Sequence, residues 1–249
     1  MKQHGKSEAN SQASTGGTKR AYAYLKKASL IGLDISGIDL YMANLEEAEL
    51  CSVILVKADI SEATFAWADL SNAILSHVTC LHTNFCGADL TGAKLDHAQA
   101  ALANFSWARL EKADMREIIL SRGELHRANL SGALLNQANL REANFRGALL
   151  QGAILQETNC FQTIFEGANL TDANLSQANL INTNFKKANL TNANLSYSIL
   201  NKSNLEGATL QHANLRGAML YESNLLNADF TGAELSGTNI TQPDSRSSE

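Results

Sequence analysis

The chain has 249 residues, 45% of them apolar and 18% charged, with a formal net charge of −5. That composition supports a packed core, argues against wholesale disorder, and disfavours a generally basic nucleic-acid binder. No apolar run approaches the roughly 18 residues of a membrane-spanning helix, and no amino-terminal apolar stretch resembles a secretory signal. Four cysteines do not make a disulfide scaffold in a chain this long. The expectation is a soluble, reduced, cytoplasmic protein, with a secreted effector as the alternative location.

Residues 1–20 are polar and lack periodicity, so they read as a flexible tail. Ala21–Leu25 is expected to add an irregular cap. From Leu25 to Ile240 the chain then repeats every five residues for 216 residues without insertion or deletion. Every multiple of five belongs to one column of 44 positions, all Leu, Ile, Phe or Met except Cys80, Ala100 and Cys160. Two residues earlier runs a second column, in which 30 of 44 members are Ala and Gly123 is the one glycine. Between them lies a third column with 17 Asn and 7 Asp. After Thr241 comes a polar tail with the only proline, Pro243, which lacks an N–H and is expected to end the repeat. The domain reading is a tail at 1–20, one repeat domain at 21–240 and a tail at 241–249.

Neither simple backbone period accommodates this pattern. Five residues of α-helix turn through about 500°, so successive leucines share no face. In a flat strand, residues five apart point to opposite sides. Locally, however, Ala and Leu are two apart and share one side of a short extended segment, with Asn/Asp on the other. The next two residues must turn a corner, and they carry glycine repeatedly, as at Gly32, Gly87 and Gly147, where a tight turn would need positive φ.

The large rings count the corners. Phe65, Phe85, Phe105, Phe145, Phe165 and Phe185 are 20 or 40 residues apart, with Leu125 in the gap. Four five-residue sides per coil would stack these rings on one wall. Cys80, Ala100 and Cys160 each fall one side before a phenylalanine, as volume compensation in a tight core would require. The predicted fold is all-β: a square-section solenoid of about 11 coils of 20 residues, with coils about 4.8 Å apart and a small inner Ala column.

The unit, as in Ala168-Asn169-Leu170, Ala178-Asn179-Leu180 and Ala228-Asp229-Phe230, closely resembles the A-[DN]-L-x-x signature of the pentapeptide-repeat family. The resemblance implies a right-handed quadrilateral β-helix, the hand coming from the resemblance alone. It also implies a largely non-enzymatic protein. One branch of the family, the quinolone-resistance and self-immunity proteins, binds DNA gyrase and mimics duplex DNA. Others are secreted effectors or cyanobacterial regulatory proteins. Several members carry loops or a carboxy-terminal dimerising helix, whereas this repeat has no loop insertion and is followed by a short polar tail. Open solenoid ends need capping or pairing, and pairing would give an end-to-end homodimer.

No phosphate-binding glycine loop, HExxH, paired CxxC or nucleophile elbow occurs in the sequence, so neither catalysis nor a cofactor is expected. His77 and His97 share an outward corner column on consecutive coils, but no third ligand has diagnostic spacing, and they read as solvent-facing histidines with no metal.

Recognition must then reside on the outward columns, and three features qualify. Glu49, Asp69 and Asp89 fall on three successive coils, followed by Arg109, within an amino-terminal half (25–115) of 12 acidic and 6 basic residues. Ile54, Ile74, Leu134 and Ile154 take the Asn/Asp place on one wall, interrupted by Lys94 and Asp114. Trp67 and Trp107 share a corner column with Gly87 between them, which predicts a notch roughly 10 Å wide, two coil spacings, between two indoles. The leading expectation is a non-catalytic scaffold that binds another protein through these faces, with no direct contact to nucleic acid or membrane. The alternative is a DNA-mimicking modulator or protector of DNA gyrase.

Overall fold

Every five residues solve their backbone hydrogen bonding in the same way. In the computed structural model, which describes residues 22–240, the inward Leu45 N–H donates to the carbonyl of Thr64 on the next coil at 2.8 Å. Two residues later Glu47 donates to Ala66 at 2.9 Å, and Ala48 closes the corner by donating to Leu45 at 3.1 Å. Glu49 then reaches back to Ala28 on the previous coil at 2.9 Å. One N–H per repeat remains, that of the first corner residue, and the Asn or Asp side chain two positions earlier accepts it. Glu46 donates to Asn44 Oδ1, Ser61 to Asp59 Oδ1 and Ser176 to Asn174 Oδ1, each at 3.0 Å. This Asx turn is the physical reason for the Asn/Asp column, because a short side chain with an oxygen two bonds from Cβ reaches that N–H best; Thr64 and Glu234 make the same contact at the longer 3.4 and 3.2 Å.

All β-bridges join residue i to residue i+20 in parallel, from Tyr24–Asn44 to Met219–Asn239. The four-sided coil expected from the phenylalanines is thus the observed one. No helix occurs among the described residues. Four ladders result, with one paired residue per wall per coil. Walls 1 to 4 begin at Tyr24, Ser29, Asp34 and Asp39 respectively. The tails expected at 1–20 and 241–249, including Pro243, lie outside the described residues, as does Ala21.

The corners correct one detail. The second corner residue has positive φ, between +54° and +71°, at each of 43 corners, yet only 12 of these residues are glycine. A left-handed residue other than glycine costs roughly 1–2 kcal/mol. Here its own N–H and the next are both committed, one to the ladder and one to the corner, so the surroundings impose the conformation. Corner positions are therefore open to large side chains.

Inside, Phe65, Phe85 and Phe105 stack on wall 1 with centroids 5.3 and 4.7 Å apart, and Phe145, Phe165 and Phe185 do so at 5.0 and 5.2 Å. Leu125 fills the gap, and Cys80, Ala100 and Cys160 are fully buried beside the rings that follow them. Burial raises the Cys80 thiol and pushes Cys160 up to about 12, the latter partly offset by the hydroxyls of Thr158 and Thr163. Threonines in the Ala column use the second lone pair of a corner carbonyl. Thr83 Oγ1 donates to Ile60 O at 2.8 Å, the same oxygen that accepts the Ala63 N–H at 3.1 Å. Among the described residues no buried side-chain polar atom lacks a partner.

The last described coil is less well covered. Leu225 and Phe230 are only partly buried, and Leu226 is 61% exposed. The N–H groups of Leu225, Phe230 and Leu235 find no carbonyl among the described residues.

Candidate functional site

Because the inward columns are consumed by the core and the corner bonds by the backbone, chemistry is left to outward side chains. These stand in files along the rod, so a residue's neighbours are those 20 before and after it. Most ion pairs obey that rule: Lys27–Glu47, Asp89–Arg109, Arg122–Glu142, Arg146–Glu166 and Lys186–Glu206 all join consecutive coils, whereas Arg116–Asp114 and Arg109–Glu111 lie within one.

The corner between walls 1 and 2 carries Trp67, Gly87, Trp107 and Arg127 in succession. Trp67 has φ +60° and is 63% exposed, and Trp107 has φ +64° and is 49% exposed. The notch expected between them is not open. The Trp67 indole leans toward the next coil and lies over Gly87, its Cε3 and Cζ3 2.4 Å from where a Cβ would stand. Any side chain at 87 would displace that ring. The Trp107 indole likewise leans forward, with the Arg127 guanidinium 4.7 Å above it and His126 edge-on at 5.9 Å. The result is a continuous aromatic and cationic file. Sequence alone reads Arg127 as one of five arginines (Arg116, Arg122, Arg127, Arg141 and Arg146) spread around the rod on a solvated face and does not single out His126; the usable signal is their separation of about one coil from Trp107.

On wall 2, Glu49, Asp69, Asp89 and Arg109 are consecutive ladder partners. The carboxylates serve the fold before anything else. Asp69 accepts the corner N–H of Ser71 at 2.9 Å, Asp89 accepts that of Thr91 at 3.0 Å, and Asp89 Oδ2 pairs with Arg109 at 2.9 Å. Charges one coil apart, about 4.8 Å, are sparser than the one per 1.7 Å of duplex DNA.

Wall 3 sets Ile54 against Ile74 and Leu134 against Ile154, with the Lys94–Asp114 rung between them. All four apolar residues are half-buried. They form two short patches rather than one stripe. None can accept a corner N–H, so the repeat forgoes its Asx bond at each. The other charged neighbour, Arg116, is held by Asp114 through Nε–Oδ1 at 2.8 Å and Nη2–Oδ2 at 2.6 Å, and that pairing holds the Asp114 carboxyl below its ordinary range.

His77 and His97 stack on the corner between walls 3 and 4, ring centroids 4.8 Å apart and planes within 3° of parallel.

The family profile described as pentapeptide repeats matches in eight copies between residues 28 and 242. Among solved structures the chain is similar to HetL, a pentapeptide repeat protein involved in heterocyst differentiation regulation in the cyanobacterium Nostoc. Identity is 29% over 86% of this chain and 91% of that one, with a TM-score of 0.52. It is also similar to the pentapeptide repeat protein Rfr23 of the cyanobacterium Cyanothece, at 30% identity over 51% and 60% of the two chains and a TM-score of 0.23. A third similarity is to QnrB1, a plasmid-mediated fluoroquinolone resistance protein, at 19% identity over 87% and 92% with a TM-score of 0.29. Comparison with curated proteins gave no match.

Proposed function

This chain belongs to the pentapeptide-repeat family, whose proteins wind as right-handed quadrilateral β-helices and are generally non-catalytic scaffolds, and on that premise we propose that it binds another protein through its outward faces. The observation that carries the reading is the tryptophan corner. Two indoles, 63% and 49% exposed, occupy corner positions that accept any side chain and whose backbone bonds are met by the ladder and the corner without them. The backbone does not ask for them. Tryptophan and arginine dominate interface hot spots, and Trp107 with Arg127 presents both. Ile54, Ile74, Leu134 and Ile154 supply apolar contacts on wall 3. The regulatory role in HetL's description, at 29% identity, supports a binding rather than a catalytic task.

The test is capture of a partner from the native host by the wild-type chain and by the W67A/W107A double variant. The variant is expected to keep its β-rich circular dichroism and its thermal midpoint while capture falls at least tenfold. Undiminished capture by a folded double variant overturns the role of this corner.

The second reading, a gyrase-directed protein, rests on the Glu49–Asp69–Asp89 file. A supercoiling assay separates the two, since a gyrase partner predicts altered supercoiling or poison protection at micromolar protein. Pairing with a second copy through the last coil is a further contact of the same proposal, read by sedimentation of the purified chain.

A further inference from the structure

We propose that the corner between walls 3 and 4 binds one divalent transition-metal ion of the zinc class through His77, Asp96 and His97. One ligand atom from each of these side chains lies within 4.8 Å of the other two. The placement is built by the ladder. The His77 N–H donates to the Asp96 carbonyl at 2.9 Å, so the Asp96–His97 pair sits one coil beyond Ser76–His77. The corner geometry then aims both imidazoles outward from left-handed backbone, φ +58° at His77 and +56° at His97. The sequence alone pointed to two ligands and no third. Asp96 escaped notice because it belongs to the first corner column rather than the histidine column, and the i+19 bond brings it in.

Two further contacts support the ligands as outer groups do in built metal sites. Ser76 Oγ donates to Asp96 Oδ1 at 2.6 Å, which holds the carboxylate and leaves Oδ2 free to ligate. His97 Nδ1 lies 3.3 Å from Glu117 Oε2 on the next coil. A proton at that nitrogen faces the carboxylate, and Nε2 keeps its lone pair. Arg116, one coil beyond Asp96, is turned onto Asp114 in a two-point pair, which reduces its repulsion of an incoming ion.

Imidazole and carboxylate together suit zinc, cobalt, nickel or copper better than calcium or magnesium. Bonds of about 2.0–2.1 Å put tetrahedral ligand atoms roughly 3.3 Å apart, so the two rings must tilt toward each other from their parallel stack. His77 is exposed and His97 half-buried, and neither ring is enclosed, so side-chain rotation suffices while the backbone ladder stays as it is. Three protein ligands leave a fourth position for water or for a partner's side chain.

The experiment is a titration of the full chain with Co²⁺, read by its visible absorption, with equilibrium dialysis against Zn²⁺ for stoichiometry. The expected result is one ion per chain, with Zn²⁺ displacing Co²⁺. H77A and H97A should each abolish the signal, H82A and H212A should leave it intact, and E117Q should weaken binding by about tenfold or more. Circular dichroism establishes that each variant is folded. Absence of binding to the wild-type chain, or stoichiometric binding that survives in folded H77A and H97A, overturns the proposal.

Discussion

Two stretches of the rod share one backbone and differ in nearly everything outside it. From Glu49 to Thr79 the bridge column reads Glu49, Ile54, Asp59, Thr64, Asp69, Ile74, Thr79, with no asparagine. From Asn169 to Asn194 it reads asparagine at six successive sides. In both, residues pair i to i+20, leucines are fully buried, and phenylalanines stack on wall 1. The comparison teaches that the coil requires its inward residues and tolerates loss of its Asx bonds. The asparagine-rich stretch shows what the repeat becomes when only the fold is served. The departures in the earlier stretch therefore carry information the fold did not demand, and the Trp67 corner, the acidic file and His77 all lie in or beside it.

If the cores are equivalent, deleting the middle ring of each stack should hurt equally. F85A and F165A are each expected to cost about 3–5 kcal/mol, measured by denaturant midpoint, because each ring is fully buried between two others. Costs that differ several-fold would break the claim of one core in both regions.

The corner bonds come next in size. D59A and N174A each remove the acceptor for the N–H of a buried corner serine, Ser61 and Ser176. Each is expected to cost about 1–3 kcal/mol, with the two values alike, since the geometry is the same. A negligible cost at both positions would remove the Asx explanation of the column.

Acid provides the finest discrimination. The Ser36 hydroxyl and N–H hold Asp34 below its ordinary range, and Arg116 does the same for Asp114. A carboxyl whose folded pKa is depressed contributes stability above its unfolded value, about 3.9, and that contribution is lost as pH falls through the folded value. The Asn169–Asn194 sides have no ionisable bridge residue. Hydrogen-exchange protection, taken relative to the intrinsic rate at each pH, should therefore fall first around Asp34 and Asp114 between about pH 5 and 3, and D114N should remove the local response. Uniform loss of protection along the rod would mean that acid acts through something other than these bridge carboxylates.

Much of this was legible beforehand. The five-residue register, the inward Leu and Ala columns, the 20-residue coil and the shared phase of Phe65, Phe85 and Phe105 are periodic facts, and burial of apolar surface turns periodicity into geometry. Glu49, Asp69 and Asp89 were placed on one file for the same reason. Other expectations needed correction. The notch beside Gly87 was filled, because a string of letters places Cα atoms on a rung but not the direction in which an indole falls. Left-handed corners extend well beyond the glycine positions, because hydrogen bonds on both sides of the left-handed residue hold it whatever its side chain. Asp96 was overlooked because contact with His77 depends on a backbone bond between different columns.

By itself, then, the order of residues determined which side chains face the axis and how many sides make a turn, since both follow from period and hydrophobicity. Only the folded rod decided which outward groups meet. That depends on side-chain torsions and on which neighbour one coil away offers a bond, a cation or an empty space, as Arg109 does for Asp89, Arg127 for Trp107 and Gly87 for Trp67.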